Sequence, residues 1–298
     1  MITLERVELT SPTDLERTSS NPTEASANSA PLQSSQRPYR LIWFQHFHKA
    51  AGTSIVKLAH ANEEVLYPRN HNGNPLDAEG NEIPLWTFSN TELRQFIDEC
   101  EELGVTFVAN EWEAVDFEYL AQDPRVVLIT CLRDPLERFV SNFYFDYWSG
   151  YTNHSSFQEY LNSDGCFTMF NYYCRILSGH NIQRQPMTLG QFQEAKKALS
   201  CFHHIVTLGE KDAFQNLQAF LGWTTALDNQ RQNKSNHLNR RVIKLILKGR
   251  IDLIWRRFTH RKQLPNSVFL YVFQQENQWD LQLYEFSKDF TSTVSEMY

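Results

Sequence analysis

The sequence predicts an α/β fold in which a central parallel sheet is flanked by helices. Short apolar, β-branched runs alternate along the chain with longer amphipathic stretches, which is the order expected for strands joined by crossover helices. Two of these runs, 41–46 and 125–130, are each followed by a polar segment that opens a helix. Because ligands of parallel sheets bind beyond the carboxyl ends of the strands, we expect a site at these two points.

The first strand is predicted over Leu41–His46 and the first helix over Thr53–Asn62. The loop between them, Lys49–Ser54, reads Lys-Ala-Ala-Gly-Thr-Ser. Small residues let the backbone approach a ligand, and the amides at a helix start favour an anion, so the loop predicts a phosphate- or sulfate-binding site with Lys49 as its cation. A Walker loop is excluded, because there the lysine comes late in the motif.

The second segment begins with a predicted buried strand, Arg125–Thr130, and continues into a long helix, Pro135–Trp148. Asp134-Pro135 is a typical helix start, with a capping residue before a proline. Arg133 lies at the strand end and Ser141 about two turns into the helix, so both are predicted to bind a second phosphate. Arg138 is expected to pair instead with Asp134 or Glu137.

The other elements follow from capping signals and periodicity. A turn-rich stretch, Val65–Trp86, predicts a hairpin or an excursion outside the core. Ser89 and Glu92 form a predicted capping box for a helix that runs to Glu102. The remaining predicted strands are Val105–Ala109 and His204–Leu208, and the remaining helices are Asp116–Gln122, Ser155–Asn162, Gly190–Leu199 and Ala213–Gly222.

Three motifs in this order resemble those of a known enzyme family. HFHKAAGT (46–53) is similar to the 5′-phosphosulfate loop of carbohydrate sulfotransferases, and LRDPLERFVSNFY (132–144) is similar to their 3′-phosphate motif. NQWDLQLYEFSKDF (277–290) resembles the helix that closes these domains, and the nearest similarity is to the heparan sulfate 6-O-sulfotransferases of the Golgi. The resemblance implies a P-loop-like three-layer fold over residues 39–298.

The resemblance also implies an activity and a set of contacts. The donor would be 3′-phosphoadenosine 5′-phosphosulfate (PAPS), the product adenosine 3′,5′-bisphosphate, and no metal would be needed. Lys49 would contact the leaving-group oxygen, and the groups that follow it in the loop would hold the sulfuryl oxygens: Ala50, Ala51, Gly52, Thr53 and Ser54. Arg133 and Ser141 would bind the 3′-phosphate, and Lys234 and Ser235 would belong to a late loop that closes over the nucleotide.

The general base is expected to be Glu111. The 6-O relatives have a histidine here in a His-Ala-Asp-Trp context, whereas this chain reads Ala109-Asn-Glu-Trp112. Glu111 follows a buried strand, where burial would raise the pKa of a carboxylate toward a value suited to deprotonation. Glu113 and His48 are the alternatives, although strand alternation is expected to direct the His48 side chain away from Lys49.

Composition limits the partners. The 298 residues carry a net charge of −7, which argues against a nucleic acid polymer as ligand. The acceptor is expected to be a hydroxylated compound such as a saccharide, with Trp148 and Tyr151 as candidate contacts. The basic stretch 240–262 either meets an anionic acceptor or, the favoured interpretation, forms a solvated helix face. Two other functions stay open: a noncatalytic nucleotide- or glycan-binding protein, and a P-loop kinase-type enzyme.

Residues 1–38 are predicted to form a disordered tail, since 10–37 is rich in Ser, Thr, Pro and Asn and lacks aromatic residues. No signal peptide, anchor or membrane span is readable, so the sequence predicts a cytoplasmic protein or one whose anchor is missing from this chain. The five cysteines show no CxxC spacing and are typical of thiols in a reducing compartment.

Overall fold

The computed structural model describes residues 38–163, 170–180, 185–226, 247, 249–259 and 263–295. The predicted disordered tail lies, except for Pro38, outside these residues. The chain divides into two units, 1–37 and 38–298, and only the second is described below.

A four-stranded parallel sheet forms the centre of the second unit, in the order β4-β1-β5-β6. The strands are β1 (Leu41–Gln45), β4 (Phe107–Asn110), β5 (Val126–Leu132) and β6 (His204–Thr207). The predicted α/β fold with a central parallel sheet flanked by helices is therefore confirmed. Gln45 is level with Asn110 on one side and Thr130 on the other, so the carboxyl ends of three strands meet at one edge.

Helices cover both faces of this sheet. They are α1 (Gly52–Ala61), α2 (Asn90–Glu102), α3 (Phe117–Leu120), α4 (Pro135–Ser149), α5 (Phe157–Leu161), α6 (Tyr172–Leu177), α7 (Leu189–Leu199), α8 (Ala213–Leu221), α9 (Ile251–Thr259), α10 (Ser267–Glu276) and α11 (Gln278–Ser295). Alternate residues of β1 point to opposite faces: Trp43 packs with α2 and α6, and Phe44 packs with α1 and α8. Both faces are buried, which explains why the strand sequences are continuously apolar.

The predicted hairpin in the turn-rich stretch is present. β2 (Asn70–His71) and β3 (Asn74–Pro75) pair antiparallel around Asn72 and Gly73, whose φ angles are 54° and 88°. The Ala109 amide donates to the Gly73 carbonyl (2.9 Å), which fixes the hairpin beside β4. The capping box of α2 is also confirmed, because Ser89 and Glu92 exchange side-chain and backbone hydrogen bonds.

The third motif has an architectural role in this fold. The buried Asp280 carboxylate, on α11, accepts hydrogen bonds from the amides of Tyr173 (3.0 Å) and Cys174 (2.9 Å) at the start of α6. Farther along α11 the Tyr284 hydroxyl donates to the Leu208 carbonyl (2.5 Å). The motif thus joins α6 to the end of β6, and α6 in turn supplies the tyrosines that hold the site.

Candidate functional site

The loop after β1 is compact and conformationally strained. Lys49 and Ala51 both have positive φ angles, 65° and 60°, a region that side-chain-bearing residues adopt at a cost. A Cβ atom at Gly52 would lie 1.9 Å from the His46 ring, so only glycine fits there. The loop therefore turns sharply into α1, with the His46 ring packed against its backbone.

The amides of this loop divide into two groups. Those of Ala50 and Ser54 donate to the carbonyls of Phe47 (3.0 Å) and Ala51 (2.8 Å), so they are already used. The amides of Gly52 and Thr53, in the first turn of α1, have no acceptor in the described part of the chain. Anion-binding amides were expected over the whole of Ala50–Ser54. Those of Ala50 and Ser54 are already bonded, so an anion would be bound by the amides between them.

The segment after β5 is held by one tyrosine. The Arg133 amide donates to the Tyr173 hydroxyl (3.2 Å), which donates to the Arg133 carbonyl (2.9 Å). The Asp134 side chain caps α4 by accepting from the Glu137 amide (2.9 Å), as the Asp-Pro signal predicts. The Arg133 guanidinium, about one-third exposed, bonds to the Glu137 carboxylate through Nε and Nη2, both at 3.1 Å.

Glu137 therefore has Arg133 as a partner, whereas the sequence predicted that Asp134 or Glu137 would pair with Arg138. Arg138 is 3% exposed, and its guanidinium carbon lies 4.1 Å from the centre of the Tyr172 ring. Its place is structural, between α4 and α6, so the ligand-facing side of α4 is left to the residues around Ser141.

One cavity of about 460 Å³ brings the two motifs together. Lys49 and Arg133 line it with Ser141, which faces it from α4, and Arg257 contributes a further cation from α9. The remaining lining residues are largely apolar or aromatic: Leu136, Glu137, Val140, Tyr144, Phe145, Trp148, Ser149, Leu264 and Pro265. A lining that combines cations with aromatic rings suits a ligand that carries both phosphate groups and a flat ring.

The aromatic stretch of α4 divides between core and cavity. Phe143 is buried among the rings of α5 and α10, whereas Trp148 and Phe145 line the cavity. The Lys49 Nζ atom lies 4.0 Å from the centre of the Phe145 ring, which holds the ammonium at the cavity wall. Tyr151, a candidate acceptor contact, is 76% exposed.

Glu111 is the centre of a charged group beside Lys49. His48 Nδ1 donates to Glu111 Oε1 (2.9 Å), and His46 Nδ1 lies 3.5 Å from Oε2. Burial by itself would raise the pKa of Glu111, but the hydrogen bonds and charges of the two histidines hold it well below its usual range. The expected raised pKa is therefore wrong, and Glu111 is a weak base.

The expected orientation of His48 is also wrong. β1 ends at Gln45, so strand alternation does not apply to His48. Its ring makes an edge contact with Phe145 at 5.7 Å, the same ring that Lys49 contacts. The His48 amide donates to the Tyr172 hydroxyl (3.1 Å), which fixes the backbone beside α6. Glu113, the other alternative base, is exposed.

Two further residues belong to this region although sequence reasoning did not select them as site residues. Burial raises the pKa of Asp146, while the Tyr160 hydroxyl that donates to it and the nearby charges of His48 and Lys49 oppose that rise. Arg257 reaches the cavity from a helix more than a hundred residues later in the chain. The sequence pointed to Arg257 only through the basic residues around it. Asp146 lies in a stretch of aromatic residues, where no sequence motif marks it as a site residue.

The predicted nucleotide-closing residues Lys234 and Ser235 lie outside the described residues. Among the residues that are described, no group of three or more His, Cys, Asp or Glu side chains is arranged to hold a metal ion. None of their helices is long and apolar enough to cross a membrane. No protein-family model matches the chain, and a search of curated proteins found no match either.

The strained backbone of the loop makes a stability prediction. Replacing Ala51 by glycine should raise the free energy of unfolding by about 0.5–1 kcal/mol, because relief at positive φ exceeds the entropic cost of glycine. Urea unfolding measures the change. Ala61→Gly, on the exposed end of α1, is the matched control and should destabilise. Equal destabilisation by both substitutions would mean that Ala51 is not strained.

Proposed function

We propose that this chain is a sulfotransferase that moves a sulfuryl group from PAPS to a hydroxyl of an acceptor, a carbohydrate or glycoconjugate. The observation that carries the proposal is the shared cavity: Lys49, Arg133 and Ser141 belong to two distant motifs and line the same space. The order of the motifs and their resemblance to those of carbohydrate sulfotransferases supply the identity of the donor.

The donor's 5′-phosphosulfate fits the β1 loop. The acceptor oxygen attacks sulfur, and the bond from sulfur to the 5′-phosphate oxygen breaks, so negative charge grows on that phosphate. Lys49, held at the cavity wall by Phe145, neutralises this charge. The amides of Gly52 and Thr53, with the Thr53 and Ser54 hydroxyls, donate to the sulfuryl and phosphate oxygens.

The 3′-phosphate fits Arg133 and Ser141. The Arg133 guanidinium is bonded to Glu137, whose side chain is 65% exposed. Such an exposed pair is weak, so a phosphate replaces the carboxylate at little cost. Trp148 and Tyr144 then provide ring faces for the adenine or for an acceptor sugar.

The acceptor proton goes to His48 in this proposal. Glu111 stays ionised and accepts the hydrogen bond of His48 Nδ1, which leaves Nε2 as the atom that takes the proton. Glu111 thereby becomes a positioning residue, and His48, an alternative base at the sequence level, becomes the base.

Nucleotide binding tests the proposal before an acceptor is known. Adenosine 3′,5′-bisphosphate should raise the melting temperature, whereas ATP with Mg²⁺ should not, since no Mg²⁺ ligand set belongs to the proposed site. Arg133→Met should weaken binding of the bisphosphate by roughly 10- to 100-fold, because a charge-assisted hydrogen bond contributes about 1.5–3 kcal/mol. Binding of adenosine 5′-phosphate should change little.

Arg94→Met, on the exposed side of α2, is the control for lost charge. If Arg133→Met weakens both nucleotides equally, Arg133 has a structural role. Stabilisation by ATP with Mg²⁺ alone would favour a kinase-type enzyme. Bisphosphate binding without turnover of labelled PAPS on a panel of hydroxylated acceptors would favour the noncatalytic alternative.

A further inference from the structure

Helix α9 is amphipathic, and its apolar face points outward. The large residues at four- and three-residue spacing, Ile251, Trp255 and Phe258, are 67%, 70% and 70% exposed. We call these three residues the apolar stripe. An ordinary surface helix buries such a face, so this arrangement calls for a partner.

The arginines of α9 point the other way and fix the helix to α4. Arg256 donates to the Thr152 carbonyl (2.9 Å) and to Asn153 Oδ1 (2.7 Å), and it lies 5.1 Å from the Tyr147 ring centre. Arg257 lies 5.5 Å from the Trp148 ring centre and lines the cavity. The favoured interpretation of this region as a solvated helix face is therefore wrong for α9. Its two arginines face the protein, whereas Ile251, Trp255 and Phe258 face solvent.

The packing of α9 keeps the stripe outward. Leu253, its one fully buried residue, packs on Gly150 at the end of α4, where an added Cβ would lie 2.9 Å from the leucine. Leu253 thus anchors the inner face in a contact that only glycine permits. Rotating the helix to bury Trp255 would break this contact together with the hydrogen bonds of Arg256.

Exposed apolar residues are concentrated in this part of the described chain. Seven of the twelve large exposed hydrophobic residues lie between 247 and 271: Leu247, Ile251, Trp255, Phe258, Leu264, Val268 and Tyr271. Leu264 is 92% exposed and also lines the cavity. The outward apolar region therefore adjoins the mouth of the candidate site.

The charge of the surrounding sequence selects the kind of partner. Besides Arg256 and Arg257, which face the protein, residues 240–262 contain seven Lys or Arg that flank α9 in the sequence and one Asp, whereas the whole chain has a net charge of −7. Tryptophan, phenylalanine and aliphatic residues beside a basic segment are the composition that binds the surface of an anionic bilayer. A two-fold contact between copies would bring two such basic segments together, which opposes self-association.

We propose that the apolar stripe of α9 docks this protein on the surface of an anionic lipid bilayer, with Trp255 and Phe258 inserted at the headgroup boundary. The stripe binds without spanning the membrane, and the Lys and Arg residues that flank α9 in the sequence add attraction to acidic headgroups. This inference does not depend on the proposed sulfuryl transfer.

Vesicle sedimentation of the full chain tests the proposal. Wild type should bind phosphatidylcholine vesicles that contain phosphatidylglycerol, bind pure phosphatidylcholine vesicles less, and lose affinity at high salt. Trp255→Glu/Phe258→Glu should weaken partitioning more than about tenfold, since two large side chains lose their burial. Leu103→Glu/Leu189→Glu, at exposed sites just after α2 and at the start of α7, makes the same charge change and should bind like wild type.

A second variant reports on insertion directly. Trp255→Phe should retain binding but lose much of the fluorescence quenching that brominated lipids cause in wild type. Thermal melts establish that each variant is folded. Absence of binding, binding retained by the stripe variant, or equal binding to neutral and anionic vesicles overturns the proposal. A dimer that the stripe variant dissociates, without vesicle binding, overturns it in favour of a second copy.

Discussion

Lys49→Ala is expected to lower kcat for sulfuryl transfer at least about a hundredfold while the protein remains folded. Removing one group that stabilises developing charge in an active site costs on the order of 10²–10³ in kcat. In the proposed reaction that charge grows on the 5′-phosphate, and Lys49 is the cation of the β1 loop that lines the cavity.

The fold should tolerate the change for two structural reasons. The Lys49 side chain is partly exposed, and its ammonium contacts Phe145 at the cavity wall and not in the core. Alanine also keeps the Cβ, so the cost of the positive φ at this position stays nearly the same in the variant. A loss of activity in Lys49→Ala would then come from the chemical step and not from unfolding or lost binding. The melting temperature of the variant and its affinity for the bisphosphate check this.

Lys57→Ala, on the exposed side of α1, is the matched control and should leave kcat unchanged. Lys49→Arg keeps the charge with a different shape and should recover part of the rate. Turnover of Lys49→Ala within about tenfold of wild type would contradict the assigned role, whatever the nucleotide affinity.

The sheet could be predicted from sequence because its signals are local. β1 and β5 are apolar runs whose alternate residues pack on opposite faces, so no polar face obscures the period. Asp134-Pro135 and Ser89–Glu92 encode helix starts within four residues, and the structure contains both caps. The observed ends of the elements differ from the predicted ends by one or two residues. At β1 the difference has a consequence, because His46 lies outside the observed strand and strand alternation no longer applies after Gln45.

Contacts between distant segments could not be predicted in the same way. Glu111 follows β4, and its partners His46 and His48 follow β1, so the three meet only because those strands are neighbours in the sheet. Burial alone predicted a raised pKa for Glu111. The hydrogen bonds and charges of the two histidines lower the pKa instead.

The orientation of α9 also depends on contacts between distant segments. The sequence of α9, IDLIWRRFT, has a strong amphipathic period, but the period does not determine which face of the helix packs on the protein. Contact with Gly150 and the Thr152 carbonyl turns the arginine side inward, and those partners lie about a hundred residues earlier. Arg257 reaches the cavity for the same reason, which no local pattern encodes.

His48→Asn is expected to lower kcat by about 10²–10⁴ with little change in nucleotide affinity, because it removes the proposed proton acceptor. Glu111→Gln should have a smaller but clear effect, since an amide oxygen can still accept the hydrogen bond of His48 Nδ1 but lacks the negative charge that faces the ring in the wild type. If the two residues act as a unit, the double variant should be no slower than His48→Asn.

The pH dependence separates the two roles. Because the pKa of Glu111 is held well below its usual range, Glu111 is already ionised at every pH near neutrality. An ionisation in the wild-type rate near neutral pH therefore belongs to another group, and histidine ordinarily titrates there. The rate should rise with pH through this ionisation in the wild type and in Glu111→Gln, and the ionisation should be absent from His48→Asn.

Glu113→Gln is the matched control, because Glu113 is exposed and lies two residues from Glu111. It should retain the wild-type rate and pH profile. If Glu111→Gln abolishes the pH dependence while His48→Asn keeps it, Glu111 is the base despite its two imidazole partners. If neither substitution changes the rate, the proton leaves by another route, and Asp146, partly buried near His48 and Lys49, is the carboxylate to test next by Asp146→Asn.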